Sequence, residues 1–210
     1  MIHFRQGNFK LSARFLKSAL QVKATCFGEK HEDTVDTCFS LAEVSNRLGM
    51  VDEASELYIE VLRSRVDSLG KKNIKTSDVL VSLGQIHRAK GEIEDALAAL
   101  LEAHRVKKLL TGPKSDEIAE LSMIIGDIMY YDIEDEKLAL EFFTEAWKIK
   151  VEINGKDHIG AVSPLFSMGD CLFKMEAYTE ALLRYEESLD IRFFALVDED
   201  EEIIDDSDDE

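Results

Sequence analysis

The strongest constraint on this chain is that it repeats itself. Glycines 28, 70, 112 and 155 stand 42, 42 and 43 residues apart, each in a polar link: "CFGEKHEDT", "SLGKKNIKT", "LTGPKSDEI" and "INGKDHIGA". A fixed period of this length calls for a repeat architecture, in which each unit is one supersecondary element that buries its apolar face only against its neighbours. Small residues keep the same step. Ser12, Ala54, Ala96, Ala139 and Ala181 are each followed seven residues later by Ala19, Val61, Ala103, Ala146 and Ser188, with bulkier Leu16, Tyr58, Leu100, Phe143 and Tyr185 between. Residues four and seven apart share one face of a helix, so these segments are helices whose small positions let a neighbour come close.

A second small position, Ala42, Gly84, Gly126 or Gly169, precedes the next unit's alanine by 12, 12, 13 and 12 residues. Between them "RLGMVDEA", "AKGEIEDA" and "KMEAYTEA" end one apolar period and start another, with acids near the new N-terminus where the helix dipole favours them. Each unit therefore reads as a helical hairpin. The one extra residue, in "GDIMYYDIEDEKLA", belongs in the turn of its hairpin or in a bulge beside it. Gly70 and Gly112 close basic-rich helices, as C-terminal glycines in the left-handed conformation would. Predicted helices span residues 9–26, 33–48, 51–68, 75–90, 93–110, 116–131, 135–153, 159–175 and 178–196. The expected fold is all-α, an α-solenoid of about four complete hairpins plus a partial N-terminal one. Its units are about 1–30, 31–72, 73–114, 115–157 and 158–197, followed by a disordered acidic tail, 198–210. Because the first unit starts in mid-pattern and "DIRFFALV" leads directly into acid, the expectation is a fragment of a longer array, an abbreviated gene product or a protein that self-associates through the solenoid ends.

Charge and composition narrow the function. Of the net charge of −18, residues 198–210 carry ten acids and no base, which leaves −8 for the rest. Such a surface repels phosphate backbones and anionic lipid, so no nucleic-acid and no membrane partner is expected. No apolar run long enough to span a bilayer and no secretory leader is visible, and three cysteines without a CxxC pair suggest neither a disulfide framework nor zinc. A reducing, cytoplasmic setting fits. No phosphate loop, metal cage or nucleophile–base motif occurs, so no enzyme activity, metal or cofactor is expected. His31 and His158 fall at corresponding links, where a structural role joining hairpins is expected, and Cys38 and Cys171 lie inside helices as packed thiols. Ser207, in "DDSDDE", is a candidate for phosphorylation by an acid-directed kinase.

The units resemble tetratricopeptide repeats of the long, roughly 42-residue kind found in kinesin light chains and nephrocystin-like proteins. The resemblance is carried by "FGEKHEDTVDTCFSLAEVSNRLGMVDEASELYIEVLRSRVDSLG", with its G-x-x-H-x-x-T link at Gly28, His31 and Thr34 and the later Gly155 and His158. It implies a right-handed solenoid and a non-enzymatic adaptor or scaffold that binds peptides or proteins. The alternatives are a kinesin light chain-like cargo adaptor and a regulatory repeat region of a larger signalling enzyme. The heptad segment of kinesin light chains is not seen here. Nor is the family's inner-face asparagine pair, whose places hold Phe39–Ser40, Val81–Ser82, Met123–Ile124 and Phe166–Ser167.

The resemblance further implies that the first helix of each hairpin lines a concave groove, whose rows follow from helical spacing. One row is Asp36, Asp78, Glu120 and Ser163. The next is Phe39, Val81, Met123 and Phe166, then Glu43, Gln85, Asp127 and Asp170, and last Asn46, Arg88, Tyr130 and Phe173. An apolar strip between mostly acidic rows suits a peptide with apolar anchors and basic flanks. Spacing alone leaves open the alternative that the apolar row packs between hairpins and the acids are merely solvated. Tyr130 and Tyr131, beside the extra residue, are a second place for a contact, with core packing expected of at least one.

Overall fold

The computed structural model of the chain describes residues 8–205, with side chains as far as residue 195. Every regular element there is helical: α1 (Phe9–Phe27), α2 (Glu32–Arg47), α3 (Val51–Leu69), α4 (Ile74–Lys90), α5 (Ile93–Thr111), α6 (Asp116–Asp127), a π-turn (Ile128–Ile133), α7 (Glu136–Asn154), a 3-10 turn (Ile159–Ala161), α8 (Val162–Lys174) and α9 (Tyr178–Asp205). They form two compact units, Met1–Leu110 and Thr111–Glu210. Each is a short all-α solenoid. In the first, α1 packs on α2, α2 on α3 and α3 on α4; in the second, α6 packs on α7, α7 on α8 and α8 on α9.

Close approach within each hairpin follows from the small positions. A Cβ added at Gly84 would lie 2.6 Å from Leu100, at Gly126 2.6 Å from Phe143, and at Gly169 2.5 Å from Tyr185. The large residue of each second helix therefore fills the space that a first-helix side chain would have occupied. Leu100 and Phe143 are fully buried as a result, and Tyr58, at the matching place in the α2–α3 hairpin, is buried with Ala42 in the first unit's core. Burying each such side chain contributes about 1.5–3 kcal/mol.

Turn chemistry departs from the sequence expectation at two kinds of place. Of the two glycines expected to be left-handed, Gly112 has a φ of 84° and Gly70 one of 82°, but the ψ of Gly70, 169°, lies outside the left-handed helical region, and Gly28 and Gly155 share its geometry with φ of 92° and 93° and ψ of 160° and 161°. The chain leaves these helices extended, through a region open essentially to glycine alone, because it must reach the next helix cap three residues on and not fold back. The left-handed positions lie instead inside the hairpins, at Gly91 and, in the second unit, at Glu134 and Glu176, both with φ of 63°. The extra residue of the third period is absorbed in the π-turn. In the other hairpin turns Met50, Glu92 and Ala177 donate their N–H groups to carbonyls five residues back, on Ser45, His87 and Leu172. Asp135 makes the matching bond to Met129, six back, at 2.8 Å, so one added residue leaves the closure of the hairpin intact.

α9 runs to Asp205, so the boundary expected at residue 197, with disorder beyond it, does not mark a helix end. No Gly or Pro follows Gly169, and a run of Glu offers nothing to stop propagation. Ser207 lies outside the described residues.

The fit of Phe143 against Gly126 generates a test. Gly126→Ala should destabilise the chain by about 1–3 kcal/mol through overpacking, lowering the thermal midpoint by circular dichroism, and Phe143→Leu in the same chain should recover part of the loss.

Candidate functional site

Recurring caps fix the first helix of each hairpin. His31, Asn73, Ser115 and His158 stand at the helix starts, and each side chain accepts a hydrogen bond from a backbone N–H of the first turn. His31 Nδ1 takes that of Asp33 at 3.2 Å and His158 Nδ1 that of Gly160 at 3.0 Å, which is the structural role expected of these two histidines.

Capped in this way, α2 and α4 carry the predicted rows of the first unit, and α6, the π-turn and α8 those of the second. In the first unit Asp36, Phe39, Glu43, Asn46, Asp78, Val81 and Arg88 are half-buried and Gln85 is exposed. In the second, Met123, Asp127, Tyr130 and Asp170 are half-buried, while Glu120, Ser163, Phe166 and Phe173 are exposed. The two residues sequence reasoning set in one aromatic pair divide their work: Tyr130 lies under Lys174, whose Nζ is 4.1 Å from the ring centroid, and Tyr131 stands out to solvent against its edge.

The acidic rows are not all open to a partner. Asp36 accepts from Arg65 Nη2 at 2.9 Å and from Lys75 Nζ at 3.0 Å, and Asp78 accepts from Lys107 Nζ at 2.6 Å. Arg65 also donates to the backbone carbonyl of Lys75 at 2.6 Å and lies 4.6 Å from the centre of the Phe39 ring. Arg65 and Lys107 are themselves buried, so their charges depend on these acids. Burial alone would raise the Asp36 pKa, but the hydrogen bonds and charges of Lys75 and Arg65 outweigh it and hold the carboxyl below its ordinary value. Glu43 is shifted the other way, upwards, chiefly by burial. Asp170 accepts from the Tyr185 hydroxyl at 2.7 Å.

These bases belong to a ladder that sequence reading missed. Lys23, Arg65, Lys107, Lys150 and Arg192 stand 42, 42, 43 and 42 residues apart, one in each second helix. Lys23 donates to the carbonyl of Asp33 and to the Thr37 hydroxyl, and Lys150 to Asp116 at 2.8 Å. The first four thus tie a second helix to the start of the next first helix or to an acid on the first helix of its own hairpin. The signal is the same period that reveals the glycines.

Two further features bear on chemistry. His87, Glu92 and Asp95, at the α4–α5 turn, bring ligand-type atoms within 4.8 Å of one another, but His87 Nδ1 is already hydrogen-bonded to Glu92 at 2.5 Å. Cys38 and Cys171 are buried, and that burial pushes each thiol pKa up to about 12, whereas Cys26 is exposed.

Residues 37–109 match the family model of the tetratricopeptide repeat. Over that stretch the chain is similar to the tetratricopeptide repeat. Among solved structures, that of BtubC (BKLC) from P. vanneervenii is 19% identical with a TM-score of 0.82, the match covering 92% of this chain and 76% of that one. TPR-like repeats from Podosopora anserina, described as those of a kinesin light chain, are 14% identical with a TM-score of 0.78 and 90% of each chain covered. The Rap protein complexed with Competence and Sporulation Factor is 21% identical with a TM-score of 0.67; the match covers 91% of this chain and 51% of that one, so this chain spans about half of it. At these identities the likeness establishes the fold, which is consistent with the 42-residue repeat type. No curated protein matches the chain by sequence. No helix among the described residues is long and apolar enough to cross a membrane.

Three outcomes follow. Arg65→Ala should cost about 2–4 kcal/mol, since it leaves Asp36 and the Lys75 carbonyl without their buried donor. Because the folded Asp36 pKa is depressed, its contribution is present above the ordinary carboxyl value of about 4 and is lost as pH falls through the lower folded value. Asp36→Asn should therefore flatten the acid limb of a thermal-midpoint profile below about pH 4. With a thiol reagent at pH 8 the native chain should modify rapidly at Cys26 alone, with Cys38 and Cys171 reacting only on unfolding; rapid modification of all three by mass spectrometry would contradict their burial.

Proposed function

We propose that the chain is a non-catalytic scaffold that holds partner peptides or proteins on the first-helix faces of its tetratricopeptide repeats. The observation that carries this reading is the aromatic surface of the second unit. Phe166, Phe173, Tyr131 and Tyr178 are all solvent-exposed, with Phe173 and Tyr178 in edge contact at 5.3 Å and Phe166 against Tyr185 at 5.3 Å. Exposed aromatic rings beside hydrogen-bonding groups such as Asp170 are the usual anchors of protein recognition. In the first unit the corresponding strip is Phe39 and Val81. Basic flanks of a partner would meet Glu43 and Glu120, since Asp36 and Asp78 already hold Arg65, Lys75 and Lys107. A cytoplasmic setting suits such a partner exchange and the thiol content of the chain.

The test is selection of a random-peptide library on the whole chain and on its Phe166→Ala/Phe173→Ala variant. Peptides with apolar anchors should be enriched on the first and bind the variant at least about tenfold more weakly. Absence of enrichment on a chain with an unaltered melting curve overturns the reading. The likeness to the Podosopora repeats favours a second, narrower reading, a kinesin light chain-like cargo adaptor; failure to co-purify with a motor heavy chain would remove it.

A further inference from the structure

The second helices are not equally covered. In the second unit Trp147 and Val151 of α7 pack on Ala161 and Leu165 at the start of the following first helix. In the first unit Leu20 of α1 and Leu62 of α3 join the same cluster as Val35, Cys38, Val79 and Leu83 of α2 and α4. One period after Trp147 and Val151 come Leu189 and Phe193 of α9, and these are 66% and 61% exposed. Leu182, seven residues before Leu189 on the same face, is 56% exposed. The ladder position is repeated too. Arg192 corresponds to Lys23 and Arg65, which donate to carbonyls in the first turn of the next first helix. Arg192 is exposed, makes no ion pair with a described residue, and has Ser163 where Arg65 and Lys107 have Asp36 and Asp78.

We propose that the Leu182–Leu189–Phe193 face of α9 is a docking site for one amphipathic helix of another polypeptide, seated as a first helix sits on the second helix before it. The occupant carries apolar residues at i and i+4, as Ala161 and Leu165 do, and an acidic first turn, as α2 does with Glu32 and Asp33, to meet Arg192. Charge complementarity at Arg192 and the register set by the chain's own repeats specify this helix. A second copy fits less well, because pairing α9 with itself brings together two chains of net charge −18 and matches Arg192 with Arg192.

The probe is a synthetic peptide of residues 29–48, which spans α2, locked helical by a staple between positions 36 and 40 and titrated by fluorescence anisotropy against the whole chain. Saturable binding should weaken at least tenfold in Leu189→Asp/Phe193→Asp and about fivefold in Arg192→Glu, and stay unchanged in Leu109→Asp, an exposed change on α5. All these sites are exposed, so the variants should melt as the parent does. No saturable binding, or equal loss in Leu109→Asp, overturns the proposal. So does a monomer–dimer equilibrium in sedimentation that Leu189→Asp/Phe193→Asp abolishes while the peptide fails to bind, which gives the face to a second copy. Loss of library binding in Phe166→Ala/Phe173→Ala concerns the other face of the second unit and leaves this test independent of the scaffold reading.

Discussion

Everything in each unit depends on helices that approach until a large side chain of one fills the space left by a missing side chain of the other. Leu100 against Gly84, Phe143 against Gly126 and Tyr185 against Gly169 are the same contact repeated, and each leaves no room for a methyl group. Interiors packed at this density do not yield gradually, so the contact sets the spacing of the hairpin and with it the direction in which the outer residues point. Glycine within a helix costs about 1 kcal/mol against alanine. The burial of Phe143 and its counterparts exceeds that cost, which is why three first helices keep a glycine in their middle.

A second device, electrostatic, works on top of the packing. Arg65 and Lys107 are charged residues placed inside the stack, and each is held there by an acid of its own hairpin. Arg65 adds a carbonyl of the following helix, so one side chain joins three elements. The acidic row expected to greet a partner is therefore in part a structural row. In the function proposed above, the negative charge left for a partner lies at Glu43 and Glu120, and the aromatic rings of the second unit offer more exposed anchor surface than the first.

Much of the fold was legible because it is local. The hairpins, the links that hold His31 and His158 and the small–large alternation all recur at fixed steps, and helical periodicity is a property of neighbours along the chain. The link glycines were recognised as turn residues, but their extended ψ was not, since it depends on where the next helix cap must sit. The extra residue of the third period was assigned to the right turn; that it winds a π-turn ending at Glu134 is a consequence of keeping the Asp135–Met129 closure in place of a looser loop. The end of α9 was placed too early because a charged run was read as unable to fold, although nothing in it breaks a helix.

The sequence by itself determined the repeat, the all-α class, the residues that face inward at each small position and the rows of residues that share a first-helix face. Only the tertiary structure decided which acids in those rows are free, because Asp36 and Arg65 are 29 residues apart in sequence and meet only when α2 and α3 stack. It also decided which apolar residues of the second helices are covered. Leu62, Trp147 and Leu189 occupy one repeat position and look alike in sequence; a packed neighbour buries the first two in part and leaves the third in water, and no reading of the chain one residue at a time contains that neighbour.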